Sequence, residues 1–166
     1  DAALSEFENQ SPITSGDYSM SFFSLKTAFK DGKQLFREFE RNRTAISGRL
    51  GELNPNSNGA SGGFRDGYGK NSQDVLISSF LAAYTGKDAN SIRLNRFPKM
   101  PLPNWRATYN GLTRFDLFNN IFASFDLNHG YNSTYNVNGF NSLARYQEFN
   151  GFVNVRDANG NFLPFY

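Results

Sequence analysis

Cysteine is absent from this chain, so no disulfide staples it and no thiolate can hold a metal. Histidine occurs once, at His129, and a lone imidazole between Leu127 and Tyr131, with no second His or Cys to share an ion, reads as a rim or packing residue rather than a catalyst. Long hydrophobic runs are missing too. The best apolar stretch, residues 75–84, is about half of the roughly 20 residues that a membrane helix needs, and Ser78 and Ser79 interrupt it. A helical membrane protein is thereby excluded. The formal net charge is only +2 and the Lys and Arg residues are scattered, too little to argue for nucleic acid, so no such partner is expected.

What the chain does have is aromatic side chains on a polar background. Its 166 residues include 18 Phe and 8 Tyr but a single Trp, alongside 15 Gly and abundant Asn, and the mean hydropathy is −0.56. That length allows one domain with a respectable core. The composition, however, describes polar surface carrying aromatic spots, the mixture produced when a polar lumen and an apolar rim alternate along the wall of a barrel.

The alternation is explicit in residues 121–139. One phase reads Ala123, Phe125, Leu127, His129, Tyr131, Ser133, Tyr135, Val137, and the other reads Ser124, Asp126, Asn128, Gly130, Asn132, Thr134, Asn136, Asn138. Such a pattern predicts one long, two-faced β-strand. Globular strands run about 5–6 residues, whereas a strand crossing a membrane needs about 9–11 tilted residues with one face to lipid and one to water. The second candidate strand, residues 104–112, alternates in the same way, and residues 113–120 make a compact connection between the two. The lumen-facing candidates are Asn104, Arg106, Thr108, Asn110, Asp126, Asn128, Asn132, Thr134, Asn136 and Asn138. The lipid-facing or interfacial candidates are Trp105, Ala107, Tyr109, Phe125, Leu127, Tyr131 and Tyr135.

Four stretches follow along the chain. Residues 1–29 form a loop and a first barrel strand from Asp17 to Phe29, whose phase changes at Phe22 and Phe23 as in a β-bulge. Residues 30–102 form a helical insertion with its loops. Leu35, Phe36, Phe39, Ile46, Leu50 and Leu53 recur at helical spacing, Asp31 with Gln34 resembles a capping box, and Gly51 with Asn54 and Pro55 supplies the stop. A second helix runs from a Ser72 cap through Tyr84 to Gly86, and its Val75, Leu76, Ile77, Phe80, Leu81 and Tyr84 are expected to pack on the first helix as a hairpin, with Phe39 and Phe80 inside. Residues 103–139 hold the two long strands. Residues 140–166 hold a loop hairpin, with a turn at Asp157, Ala158, Asn159 and Gly160, and the start of the next strand. The smallest membrane barrels need about eight strands, and an open edge in lipid leaves backbone groups unpaired, so further chain must complete the sheet and this sequence reads as a segment of something larger.

Three motifs have plainer readings than their first appearance. The Gly-rich run from Gly62 to Lys70 lacks Gly at Phe64 and a hydroxyl at Asn71, so it is a flexible loop rather than a phosphate cradle. Asp157, Asn159 and Asn161 have the opening spacing of a calcium loop, but Phe162 stands where Gly is required and no closing Glu follows. Glu38 and Glu40, with Arg37, Arg41 and Arg43 beside them, have the look of a solvated helix face.

At Pro101-Leu102-Pro103-Asn104-Trp105-Arg106-Ala107-Thr108-Tyr109-Asn110-Gly111-Leu112, followed by Leu127-Asn128-His129-Gly130-Tyr131-Asn132-Ser133-Thr134-Tyr135, the sequence resembles the SprA/Sov family, the giant outer-membrane translocon of the Bacteroidota type IX secretion system that is tied to gliding motility. The resemblance extends to Gly67-Tyr68-Gly69-Lys70-Asn71-Ser72-Gln73-Asp74-Val75-Leu76-Ile77 with Phe80-Leu81-Ala82-Ala83-Tyr84, to Asn42-Arg43 with Ile46-Ser47 and Arg49-Leu50-Gly51, and to Arg156-Asp157-Ala158 with Gly160-Asn161-Phe162. It spans nearly the whole chain in order but covers only a small late part of a family member. The resemblance implies a mainly β fold: antiparallel transmembrane strands forming part of a very large outer-membrane β-barrel wall, with an α-helical hairpin inserted. It further implies export of folded cargo proteins, with the remainder of the parent barrel chain, a PorV-type shuttle subunit, a periplasmic plug protein and outer-membrane lipid as partners. No catalytic residue, cofactor or metal comes with it. Because barrel turns are short on the periplasmic side, residues 113–120 are expected there, and residues 30–102 and 140–161 on the other. The rival expectation is a secreted or surface β-rich binding or adhesion module whose aromatics contact glycans or a partner.

Overall fold

The computed structural model describes residues 15–21, 24–94, 97, 103–143 and 146–164. Two compact units divide the chain, one drawn from Asp1–Tyr18, Ser24–Pro98 and Val137–Tyr166, the other from Ser19–Phe23 and Lys99–Asn136. The described part is a mixed α/β assembly of helices and short antiparallel strand pairs. In chain order it contains β1 (Ser15–Ser21), α1 (Gly32–Leu53), β2 (Ala60–Ser61), β3 (Phe64–Arg65), α2 (Gln73–Thr85), β4 (Trp105–Tyr109), the one-turn α3 (Asp116–Asn119), β5 (Leu127–Tyr131), β6 (Thr134–Asn141), β7 (Glu148–Phe149) and β8 (Phe152–Val153). No helix among the described residues is long and apolar enough to cross a membrane.

In the first unit the two helices do pack on each other. Asp31 caps α1 by accepting from the Lys33 amide at 3.3 Å, whereas the side chain of Gln34 turns to Glu38, so the expected capping box is not formed. The helix ends at Leu53 with Asn54 as its C-cap, where Asn54 and Pro55 were expected to stop it, and Gly51 lies inside its last turn. Gly51 serves close packing: a Cβ at that position would stand 2.5 Å from the Arg65 side chain. Bulky residues were expected at the helix interface, yet α2 buries the smaller stripe Val75, Ser78, Ser79, Ala82 and Ala83, together with Leu81, while Phe80 is 41% and Phe36 56% exposed and Phe39 is half-buried. Residues 75, 78, 79, 82 and 83 follow the i, i+3, i+4, i+7, i+8 spacing of one helical face, and small side chains there let the backbones approach. The larger rings are left at the rim.

The centre of this unit is Tyr68, Val75 and Phe162, with Leu50 and Val153 packed against them. Phe162 lies on Gly67, whose φ of +78° and lack of Cβ leave room for the ring, and the Phe162 amide donates to the Gly67 carbonyl at 2.7 Å. Arg156 closes the arrangement. Its two terminal nitrogens each lie 2.7 Å from an Asp66 carboxylate oxygen, and its guanidinium stacks 4.3 Å above the Phe162 ring. Buried Asn54 donates to the Tyr68 hydroxyl and to the Val153 carbonyl, both at 3.0 Å, which ties the end of α1 to the β7–β8 hairpin. That hairpin turns at Asn150 and Gly151, both with positive φ, as a tight two-residue turn requires. The expected turn at Asp157 is also present, with Asp157 Oδ1 accepting from the amides of Asn159 and Asn161 at 2.8 and 2.9 Å.

The Arg156 hydrogen bond holds Asp66 below the usual carboxylate range, outweighing the burial that makes it harder to ionise and joined by the Asn58 amide and the Arg156 charge. A carboxylate lowered in the folded state contributes stability that is whole above its unfolded value of about 3.9 and is lost as pH falls through the folded value. Acid titration of thermal stability should therefore show an acid limb below about pH 4 that is flatter in Arg156→Ala than in the parent sequence. Phe162→Ala should cost about 3–5 kcal/mol in urea unfolding and Phe80→Ala distinctly less, because only the former ring is fully enclosed.

Candidate functional site

The long strand expected over residues 121–139 exists as an extended segment that begins later, at Leu127, and is interrupted once. β5 and β6 are separated by Asn132 and Ser133, and the segment changes partner there: β5 pairs with β4 and β6 with β1. The reason lies across the ladder, at the start of the strand that pairs with β5. β4 ends its pairing at Trp105 opposite Tyr131, and the residue two before it is Pro103, which has no N–H to continue a ladder. The Asn104 side chain fills the gap, accepting from the Ser133 amide at 3.0 Å and donating to Asn132 Oδ1 at 2.9 Å. Residues 121–126 are irregular because Phe122 and Phe125 pack together and Phe125 meets Phe118 of α3, with ring centroids 5.4 and 5.9 Å apart.

The antiparallel register of β4 and β5 sorts side chains by chemistry. Trp105 faces Tyr131, Ala107 faces His129 and Tyr109 faces Leu127, while the intervening pairs are Arg106 with Gly130 and Thr108 with Asn128. Since alternate residues point to opposite sides, one side of the hairpin carries only the first set and the other only the second. On the polar side Thr108 Oγ1 donates to Asn128 Oδ1 at 2.9 Å. On the aromatic side the Trp105 and Tyr131 rings stack 4.7 Å apart, and Trp105 Nε1 donates to His129 Nδ1 at 2.9 Å, a bond that needs a neutral imidazole protonated on Nε2.

Along β6 the same parity continues. Tyr131, Ser133, Tyr135 and Val137 are half-buried, while Asn132, Thr134, Asn136 and Asn138 are exposed. Of the polar candidates, the structure joins Asn104 to Asn132 and Thr108 to Asn128, and places Arg106 in the same ladder. Asn110 and Asp126 lie just outside β4 and β5, exposed and without a place in the pairing. Of the aromatic candidates, Trp105, Ala107, Tyr109, Leu127 and Tyr131 share one side, and Phe125 belongs to the aromatic packing of the connection instead.

Two neighbours of the extended segment were not singled out from the sequence. In the second unit Ser19 Oγ donates to Asn136 Oδ1 at 2.6 Å; in the first, the Gly139 amide donates to Asp17 Oδ1 at 2.6 Å. The signal was present in β1, where Ser15, Asp17 and Ser19 occupy the exposed phase between half-buried Gly16, Tyr18 and Met20. The connection itself presents Phe115, Leu117 and Ile121 largely to the surface, 57%, 72% and 68% exposed. Among the described residues no group of three or more His, Cys, Asp or Glu could hold a metal ion. No protein-family model matches this chain, and no curated protein matches it either.

Asn104→Ala removes both side-chain bonds at the junction and leaves the Ser133 amide without its acceptor. It should lower the protection of that amide against hydrogen exchange by about 0.5–1.5 kcal/mol, whereas Thr108→Val should leave Ser133 unchanged.

Proposed function

We propose that the chain is a wall segment of a protein-conducting outer-membrane barrel, the translocon of type IX secretion in the Bacteroidota, in line with its resemblance to the SprA/Sov family. The observation that carries the reading is the separation of the β4–β5 hairpin into an aromatic side and an Asn/Thr/Arg side by a single register. In this reading Trp105, Ala107, Tyr109, Leu127, Tyr131 and Tyr135 meet lipid. The polar side meets a watery lumen through which folded cargo passes.

A conduit for folded proteins must neither grip nor repel its cargo. Asn, Thr and Ser side chains already bonded to one another, as Thr108 is to Asn128 and Asn104 to Asn132, offer only weak, exchangeable contacts to a passing surface. The function is passive transport, without catalytic residues or cofactor. Backbone groups along the free edges of these strand pairs are satisfied by the remainder of the parent barrel chain. A PorV-type shuttle subunit, a periplasmic plug protein and the secreted cargo complete the partners, and the helical insertion stands on the outer side of the membrane.

Two measurements test this. Lys at Ala107 should destabilise the parent barrel by about 2–4 kcal/mol near the midplane, while Lys at Thr108 should fold and alter transport; equal heat-modifiable folding of Ala107→Lys and Thr108→Lys would remove the lipid assignment. Sidedness is read by cysteine placed at Ser57 or Ser61, which should react with an impermeant reagent in intact cells. Reaction only after the outer membrane is permeabilised would place the insertion on the opposite side.

A further inference from the structure

The first half of α1 carries a surface that neither folding nor the proposed conduit explains. Lys33, Arg37 and Arg41 are exposed at i, i+4 spacing, about 6 Å apart along the helix, and Lys26 is exposed just before it. The nearby acids are already engaged: Glu38 pairs with Lys30 at 3.0 Å, Glu40 with Arg43 at 3.3 Å, and Asp31 caps the helix. Lys26, Lys33, Arg37 and Arg41 have no counter-ion among the described residues. Lys33 does not serve helix stability, because it lies in the first turn of α1, which contains no acidic residue, and a cation there opposes the helix dipole. Interleaved with them in sequence, Phe29 is 94% exposed and Phe36 56% exposed. Solvated charged faces have no need of rings left in water.

From this we infer that the start of α1 and the segment before it dock on an anionic membrane surface, the cations meeting phosphate-bearing headgroups and Phe29 and Phe36 entering the layer beneath them. Charge complementarity selects an anionic partner, and the two exposed rings select one with an apolar layer under its charges, which distinguishes a bilayer from a soluble polyanion or an acidic peptide. The inference stands apart from the translocon reading, since it uses no residue of the strand pairs: Lys26 and Phe29, expected in the first barrel strand over residues 17–29, lie beyond β1, which ends at Ser21.

The test is flotation of the full chain with vesicles of phosphatidylcholine alone and of equimolar phosphatidylcholine and phosphatidylglycerol, read as the ratio of partition between the two. Apolar strand surface contributes to both vesicles and cancels in the ratio. The ratio should favour the anionic vesicles and fall with added salt, and Lys33→Glu/Arg37→Glu/Arg41→Glu should reduce it by at least about a hundredfold. Phe29→Ser/Phe36→Ser should weaken binding to anionic vesicles while keeping its salt dependence. A control with the same charge change elsewhere, Lys70→Glu/Arg93→Glu/Arg114→Glu, should keep most of the preference. The inference is overturned if the α1 variant retains its ratio with its helical circular dichroism intact, or if the control lowers the ratio equally. Should the α1 variant lose helicity, the neutral set Lys33→Gln/Arg37→Gln/Arg41→Gln decides by the same ratio. Binding to soluble heparin without preference for anionic vesicles would also overturn it.

Discussion

Register between β4 and β5 is the constraint on which the functional reading depends. Side chains alternate strictly along a strand, so moving the pairing by one residue would place Arg106 and Thr108 among the rings and Trp105 among the asparagines. Two unlike interactions hold the register where it is. Stacking of Trp105 on Tyr131, with the indole N–H bonded to His129, fixes one side; the Thr108 to Asn128 and Asn104 to Asn132 bonds fix the other. A slip would break both sets together. The polar side alone would specify register weakly, since Asn and Thr find new partners readily, and the rings supply the discrimination.

The faces of β4, β5 and β6 were legible in the sequence because period-two alternation is a local property that survives whatever the strands pair with. The interruption at Asn132 and Ser133 was not, because it arises from Pro103 and Asn104 on a neighbouring strand nearly thirty residues away, and nothing in residues 127–141 announces it. Helix existence in α1 and α2 was legible for the same reason of periodicity. Of the α2 residues expected inside, Val75 and Leu81 are buried and Phe80 is not; Ser78, Ser79, Ala82 and Ala83 were missed because large apolar residues outweigh Ser and Ala in any reading by hydropathy, whereas packing favours the face that lets two helices approach. The tight turn at Asn150 and Gly151 carried the familiar Asn-Gly signal and could have been found.

The centre around Phe162 shows a different kind of information. Ser47 and Leu50 in α1, Gly67 and Tyr68 after the β2–β3 hairpin, and Arg156 and Phe162 near the end of the chain belong to three of the separated motifs on which the family resemblance rests. They meet in one place. Ser47 bonds to the Tyr68 carbonyl at 2.6 Å, Asp66 pairs with Arg156 across ninety positions, and Phe162 occupies the space left by Gly67. Each residue type has a physical reason once the contact is known, and no local pattern in the sequence exhibits the contact itself. The two-helix region is thereby closed by Val153, Arg156 and Phe162, which follow it in the chain after the two long strands.

The central claim is that odd-numbered residues of the extended segment face lipid and even-numbered residues face water. It is tested most directly by single cysteines at residues 127–138 of the parent barrel, each carrying an environment-sensitive fluorophore in a reconstituted bilayer. Quenching by lipid-borne nitroxide should rise at Leu127, Tyr131 and Tyr135, and quenching by aqueous iodide at Asn128, Asn132, Thr134 and Asn136, with a period of two. Uniform access of iodide to every position, without alternation, would contradict the claim and leave a hairpin that is wet on both sides.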